Sequence, residues 1–159
     1  MEDVSLMGSP QFVLVAPSFG PSKVFKLIGE ELFYGVPAYP WMYISRGTED
    51  VALAEHIREA RAVLLGVSAT DVPAQELTAA AEARACGVPY GFFCFDYYGN
   101  LREAIREAIG GASFHFAVSD EEADIVRPDL APDTRIVVMH PSAEKTSWRV
   151  AATLRELYL

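Results

Sequence analysis

The chain is short of cationic side chains. Against 22 aspartates and glutamates stand only 13 lysines and arginines, of which just three are lysines (Lys23, Lys26, Lys145), and the formal charge is −9. A phosphate backbone is repelled overall, so no nucleic-acid partner is expected, although Lys23 and Lys26 together suit one small phosphate. Cysteine is scarce as well: Cys86 and Cys94 are too few for a disulfide scaffold and read as buried free thiols. The three histidines, His56, His115 and His140, are far apart and lack ligand spacing, so no metal site and no other cofactor is expected. No apolar run approaches the ~20 residues that span a bilayer. The opening MEDVSLMGSPQ also lacks the basic start and apolar core of a secretory signal. A reducing, cytoplasmic location is the expectation.

What the chain does have is a repeated order: apolar strand-like run, polar turn, amphipathic helix, recurring from Phe12 to His140. That order predicts a parallel sheet wrapped by helices, and 159 residues at 51% hydrophobic composition suit one domain with a substantial core. The predicted architecture is therefore a single three-layer, Rossmann-like α/β domain over residues 1–159, with residues 1–11 as a loose leading segment. It carries a parallel sheet of five or six strands in the order 3-2-1-4-5-6. The closing helix reads as a natural end of the chain.

Strands are expected at Phe12 to Ala16, Tyr39 to Ile44, Ala62 to Val67, Pro89 to Phe95, Ser113 to Val118 and Arg135 to Met139. The second is rich in aromatics and flanked by Pro40 and Gly47, which suits a short or edge strand. A first helix follows Pro21, with Val24, Leu27, Ile28 and Leu32 on one face, and a second runs from about Glu49 to Arg61. Pro73 opens a third that Gly87 closes as a left-handed cap. Asn100 with Glu103 has capping-box spacing, and Ser119 with Glu122 repeats the pattern. The last helix starts at Thr146 or Ser147, with Trp148, Val150, Ala151 and Leu154 facing inward.

Ligands of such sheets bind beyond the carboxyl ends of the strands. The turn after the first strand offers Ser18, Gly20, Ser22 and Lys23 near a helix start, where free amides and the helix dipole suit a carboxylate or phosphate. It carries neither G-x-G-x-x-G nor G-x-x-x-x-G-K-[ST], and Gly20 and Pro21 also suit a plain tight turn. Beside it, in the order 3-2-1-4-5-6, comes the turn after the fourth strand. There Asp96 suits a general base or a partner for sugar hydroxyls, while Tyr97, Tyr98 and Asn100 offer stacking and hydrogen bonds. In the other common order, 2-1-3-4-5, the neighbour is instead Ser68, Thr70 and Asp71, which helix capping also explains.

His140 ends the last strand and could serve with Asp96 and a serine in hydrolysis, though no G-x-S-x-G elbow is present. His115, within SFHFAV, reads as a satisfied core or helix-covered histidine. The aromatics Phe33, Tyr34, Tyr39, Trp41 and Tyr43 suit core packing or, failing that, an apolar patch for a protein partner.

Taken in sequence, AVLLGVSATD, an alanine-rich helix, GVPYGFFCFDYYGNLREAI, ASFHFAVSDEEADIV and APDTRIVVMHPS resemble the amino-terminal half of a GT-B glycosyltransferase, over about Phe12 to Ser142. The resemblance implies a domain that faces a cleft and binds the acceptor, through Ser18 to Ser22, Ser68 to Asp71 and Asp96 to Asn100. No counterpart of the family's donor half is expected, because His140-Pro141-Ser142 leads to one helix. Sugar transfer would then need a partner chain or a homo-oligomer.

The expected function is thus a glycosyltransferase-like domain that binds a small polar or anionic ligand. One alternative is an autonomous small hydrolase or transferase with Asp96 or His140 as base. The other is a non-catalytic interaction domain using the patch around Trp41.

Overall fold

A computed structural model of the chain describes residues 12–15, 27–28, 41–44, 50–68, 73–94, 98–139 and 143–158. Six parallel strands form one sheet: β1 (Phe12–Val15), β2 (Trp41–Ile44), β3 (Ala62–Val67), β4 (Tyr90–Cys94), β5 (Phe114–Ala117) and β6 (Arg135–Val138). Five helices alternate with them: α1 (Asp50–Arg58), α2 (Ala74–Cys86), α3 (Tyr98–Gly110), α4 (Asp120–Val126) and α5 (Ala143–Tyr158). Residues 27–28 are also helical, and a 3₁₀ turn, Arg127–Asp129, follows α4.

The strand order is β2-β1-β3-β4-β5-β6, which corrects the expected 3-2-1-4-5-6. Both orders obey the right-handed crossover rule, so handedness alone does not choose between them. The distinction is where the second crossover lands: it passes over β1 and sets β3 on the far side, leaving β2 at the edge. The aromatic-rich, proline-flanked composition of β2 suits a short or edge strand, and it is four residues long and lies at the edge.

Period-two alternation sorts the strand residues onto two faces, each with its own core. Val13, Val15, Val63, Leu65, Val67, Tyr90, Phe92 and Cys94 pack with Leu53 and Ile57 of α1, the buried alanines of α2, and Leu101, Ile105 and Ile109 of α3. On the opposite face Phe12, Leu14, Leu64, Phe93, Phe114 and Phe116 pack with Ile28 and with Val150, Ala151 and Leu154 of α5. Helices therefore cover both faces, which explains why β1, β3 and β4 are buried along their whole length and read as unbroken apolar runs.

Gly91 permits one close approach within the second core. It stands opposite Phe114 in the β4–β5 register, and a Cβ at Gly91 would run into the Phe114 ring and carbonyl. Gly87 serves a different need: its φ of 73° places it in the left-handed region, and it caps α2 as expected.

Four local expectations change. The last helix begins at Ala143, three residues before Thr146. Asn100 lies inside the first turn of α3 and does not cap it, since the helix begins two residues earlier. Trp148 is 60% exposed, while Val150, Ala151 and Leu154 are buried. At 100° per residue Trp148 falls to the side of the stripe formed by those three. Cys86, in the last turn of α2, is exposed, and only Cys94 is buried.

Among the described residues no helix is long and apolar enough to cross a membrane. The expected helical positions Val24 and Leu32, and the leading segment 1–11, lie outside the described residues, as do the side chains of Trp41 and Tyr43 and all of Phe33, Tyr34 and Tyr39.

Candidate functional site

The chain leaves β1 towards one edge of the sheet and leaves β3 towards the other, although the two strands are paired neighbours with Val15 opposite Leu65. The carboxyl ends of β1 and β3 are thus the topological switch point of the sheet, where ligands of such sheets bind. Ser68 follows β3 directly at this point and is buried, 7% exposed. It is not a free polar group.

The order brings the turn after β3, and not the turn after β4, beside the turn after β1. Of the residues expected at the site, Ser68 and Asn100 are described. Ser18, Gly20, Ser22, Lys23, Thr70, Asp71, Asp96, Tyr97 and His140 lie outside the described residues. Asn100 is solvent-exposed on α3. The ends of β4 and β6, which lead to Asp96 and His140, are separated by β5. Two strand spacings amount to about 10 Å.

Beyond β4 the structure holds a polar cluster that sequence reading missed. The first turn of α3 contains no acidic residue to complement the positive helix end. Glu122 of α4 supplies the anion: its Oε2 accepts the Tyr98 backbone N–H at 2.6 Å, and the residue is 5% exposed. Ser119 caps α4 as expected, its Oγ accepting from the Glu122 N–H at 3.2 Å. The Glu122 side chain thus starts the neighbouring helix and does not fold back on its own. Its second oxygen, Oε1, is buried without a hydrogen-bond partner among the described residues.

Tyr98 is the hub of this cluster. Its ring is fully buried, so it offers no stacking surface of the kind expected for this turn. Its hydroxyl donates to Asp129 Oδ2 at 2.8 Å, and Arg102 grips the same carboxylate in a fork, Nε to Oδ2 at 2.9 Å and Nη2 to Oδ1 at 3.2 Å. Burial acts to raise the Asp129 pKa, but the bonds from Arg102 and Tyr98 outweigh it and hold the carboxyl below its ordinary value. Burial first, then the bond to Asp129, pushes the Tyr98 phenol well above its usual range, so it is a fixed hydrogen-bond donor and not an acid.

His115 of β5 meets the Tyr98 ring edge-on, with centroids 6.4 Å apart. It is 1% exposed and its Nδ1 has no hydrogen-bond partner among the described residues, so the histidine is buried as expected, with that nitrogen unsatisfied there. Burial lowers its pKa to about 4, which keeps the imidazole neutral at pH 7.

Two open grooves are formed by described residues, and neither lies at the carboxyl ends of β1 and β3. One, about 590 Å³, runs between α2 and α3 and is lined mainly by residues of their carboxyl-terminal halves. The other, about 290 Å³, lies beside the start of α3 between Gly99, Arg102, Glu103 and Arg106. Among the described residues no group of three or more His, Cys, Asp or Glu side chains comes together as metal ligands would. No family model matches the chain, and a comparison with curated proteins finds no match.

Proposed function

We propose that the domain binds a small polar or anionic ligand in the crevice at the carboxyl ends of β1 and β3. What supports this is the reversal of strand order at that point, the switch point where ligands of such sheets bind, together with the residue types that follow β1 and β3 in the sequence. In this reading Ser18, Gly20, Ser22 and Lys23 after β1 hold the anionic or polar group, and Ser68, Thr70 and Asp71 after β3 engage hydroxyls from the other wall. Asp96, Tyr97 and Asn100 flank the cleft one strand further on. The glycosyltransferase-like resemblance narrows the ligand to a hydroxyl-rich acceptor, with sugar transfer requiring a donor-binding partner. Hydrolysis by Asp96 with His140 receives less support, because β5 separates the strand ends that lead to them.

The test is a thermal-shift screen of the chain against sugars, phosphorylated metabolites, free nucleotides and nucleotide sugars, repeated on Lys23→Ala, Asp71→Asn and Asp96→Ala. Ligand at 100 times its dissociation constant stabilises by about 2.7 kcal/mol. The proposal expects a hit among the sugars or phosphorylated compounds that Lys23→Ala and Asp71→Asn abolish and Asp96→Ala weakens less. A panel without response, or a hit lost only in Asp96→Ala, overturns it.

A further inference from the structure

β6 forms one edge of the sheet, and its hydrogen bonds fix which of its backbone groups face outward. The Arg135 N–H donates to the Ser113 carbonyl at 3.1 Å and the Met139 N–H to the Ala117 carbonyl at 2.8 Å. Backbone groups of successive strand residues alternate in direction, so Arg135, Val137 and Met139 turn theirs to β5, and Ile136 and Val138 turn theirs away from the sheet. The strand is also less covered than its neighbours: Arg135 is exposed and Ile136 to Val138 are half-buried, whereas β1, β3, β4 and β5 are buried throughout. An edge of this kind is a template for another extended chain.

α5 holds that edge at both ends. Arg149 Nη1 donates to the outward Val138 carbonyl at 2.6 Å, and Arg135 Nη2 donates to Glu156 Oε1 at 3.2 Å. Arg149 and Glu156 are seven residues apart, about 10.5 Å along the helix and on nearly the same side of it. That spacing matches the roughly 10 Å from Arg135 to Val138 along an extended strand. Charged side chains of one helix therefore flank β6 over its whole four-residue length.

From this geometry we infer that Arg149 bars the β6 edge to strand addition, and that the occupant it excludes is the β6 edge of a second copy. A two-fold axis through Val137 sets Ile136 of one copy opposite Val138 of the other in antiparallel register. The outward groups of those residues then match donor to acceptor, and half of the resulting ladder bonds accept at the Val138 carbonyl. Arg149 already occupies that carbonyl. Its bond is charge-assisted and roughly twice as strong as the neutral amide bond that would replace it, so the exchange is unfavourable at each copy. Arg149 is exposed, and its guanidinium stands where the incoming strand would lie.

Sedimentation equilibrium from micromolar to several hundred micromolar chain tests this, in physiological salt to screen the net charge of −9. Wild type, Arg149→Ala, and Arg149→Ala with Ile136→Pro are compared, with circular dichroism confirming that each is folded. The Ile136 N–H points outward, so proline there removes no bond within the sheet and only blocks the edge. The wild type is expected at the single-chain mass throughout, Arg149→Ala at twice that mass as concentration rises, and the double variant at the single-chain mass again. Amide exchange in Arg149→Ala, followed by NMR, needs no proline variant: the Ile136 and Val138 amides should exchange more slowly at high concentration than at low. Arg149→Ala that stays single, that associates with those two amides unprotected, or that still associates when Ile136 is proline overturns the inference. So does a wild type that associates with the same two amides protected.

Discussion

Glu122 and Tyr98 lie 24 residues apart on different helices, yet the Glu122 carboxylate accepts the Tyr98 amide hydrogen at 2.6 Å and so supplies the N-terminal cap of α3. The carboxylate fills the position that an anionic ligand would take at a helix start. The amino end of α3 is thereby committed to structure.

Removing that carboxylate leaves a buried amide unpaired. Glu122→Ala is expected to destabilise the fold by about 1–3 kcal/mol, the range for losing a charge-assisted bond to a buried donor. Glu122→Gln, which keeps an acceptor, should lose less. Urea unfolding gives the totals, and hydrogen exchange at the Tyr98 amide localises the effect. Unchanged exchange at that amide in Glu122→Ala would contradict the role assigned to it.

Gly91→Ala places a methyl group where the Phe114 ring lies. The expected cost is about 1–3 kcal/mol of overpacking. Phe114→Ala alone costs about 3–5 kcal/mol through the cavity it leaves. The two should be non-additive, because Phe114→Ala removes the ring that the methyl group meets, while the clash with the Phe114 carbonyl stays in the double variant. Additive losses in denaturant unfolding would show that the Phe114 ring is not what the methyl group meets.

Acid should weaken the fold in two separable windows. The His115 imidazole titrates near 4 when folded, against an ordinary 6.5. As pH falls through 6.5 the unfolded chain takes up a proton that the folded chain refuses. Stability is therefore complete above 6.5 and declines towards pH 4, by up to about 3 kcal/mol. Asp129 acts lower: its depressed pKa gives a contribution present above the ordinary carboxylate value and lost only as pH falls beneath it. His115→Phe should flatten the first window and leave the second. Parallel stability curves for the variant and wild type between pH 7 and 4.5 would exclude His115 as the source.

The two thiols should differ in reactivity in an instructive way. Cys94 is buried and should resist alkylation in the folded state, whereas Cys86 is exposed. Cys86 nevertheless donates to Glu82 Oε2 at 3.2 Å, and that bond, with burial second, raises its pKa. Less thiolate is present at neutral pH, so Cys86 should react with iodoacetamide more slowly than an unstructured cysteine. Glu82→Gln should speed it. Mass spectrometry of the time course gives both rates, and equal labelling of Cys86 and Cys94 would refute the assignment.

Much of this fold is written locally. Pro73 and Gly87 bracket α2 because one fixes a helix-entry dihedral and the other adopts a left-handed one, and both effects act within a residue or two. Ala62 to Val67 is legible as β3 because a strand covered on both faces leaves an unbroken apolar run. The strand order was not legible, since two right-handed windings fit the same string of elements. The clue lay in Trp41–Ile44, whose edge-like composition disagrees with a central place in the sheet. The Glu122–Tyr98–Asp129–Arg102 cluster was also hidden. Glu122 was visible only as a helper to its own helix, because nothing in DEEADIV indicates that the carboxylate reaches a different one.

The second core ties the first strand to the last helix: Phe12 and Leu14 share it with Val150, Ala151 and Leu154. A chain emerging from the ribosome can pair β1 with β3 long before α5 exists, and Ile28 can join that face early. The part of the face that Val150, Ala151 and Leu154 cover stays open until α5 has left the exit tunnel. Synthesis therefore passes through a stage in which the sheet waits, with phenylalanine and leucine partly uncovered, for a helix more than a hundred residues downstream of β1.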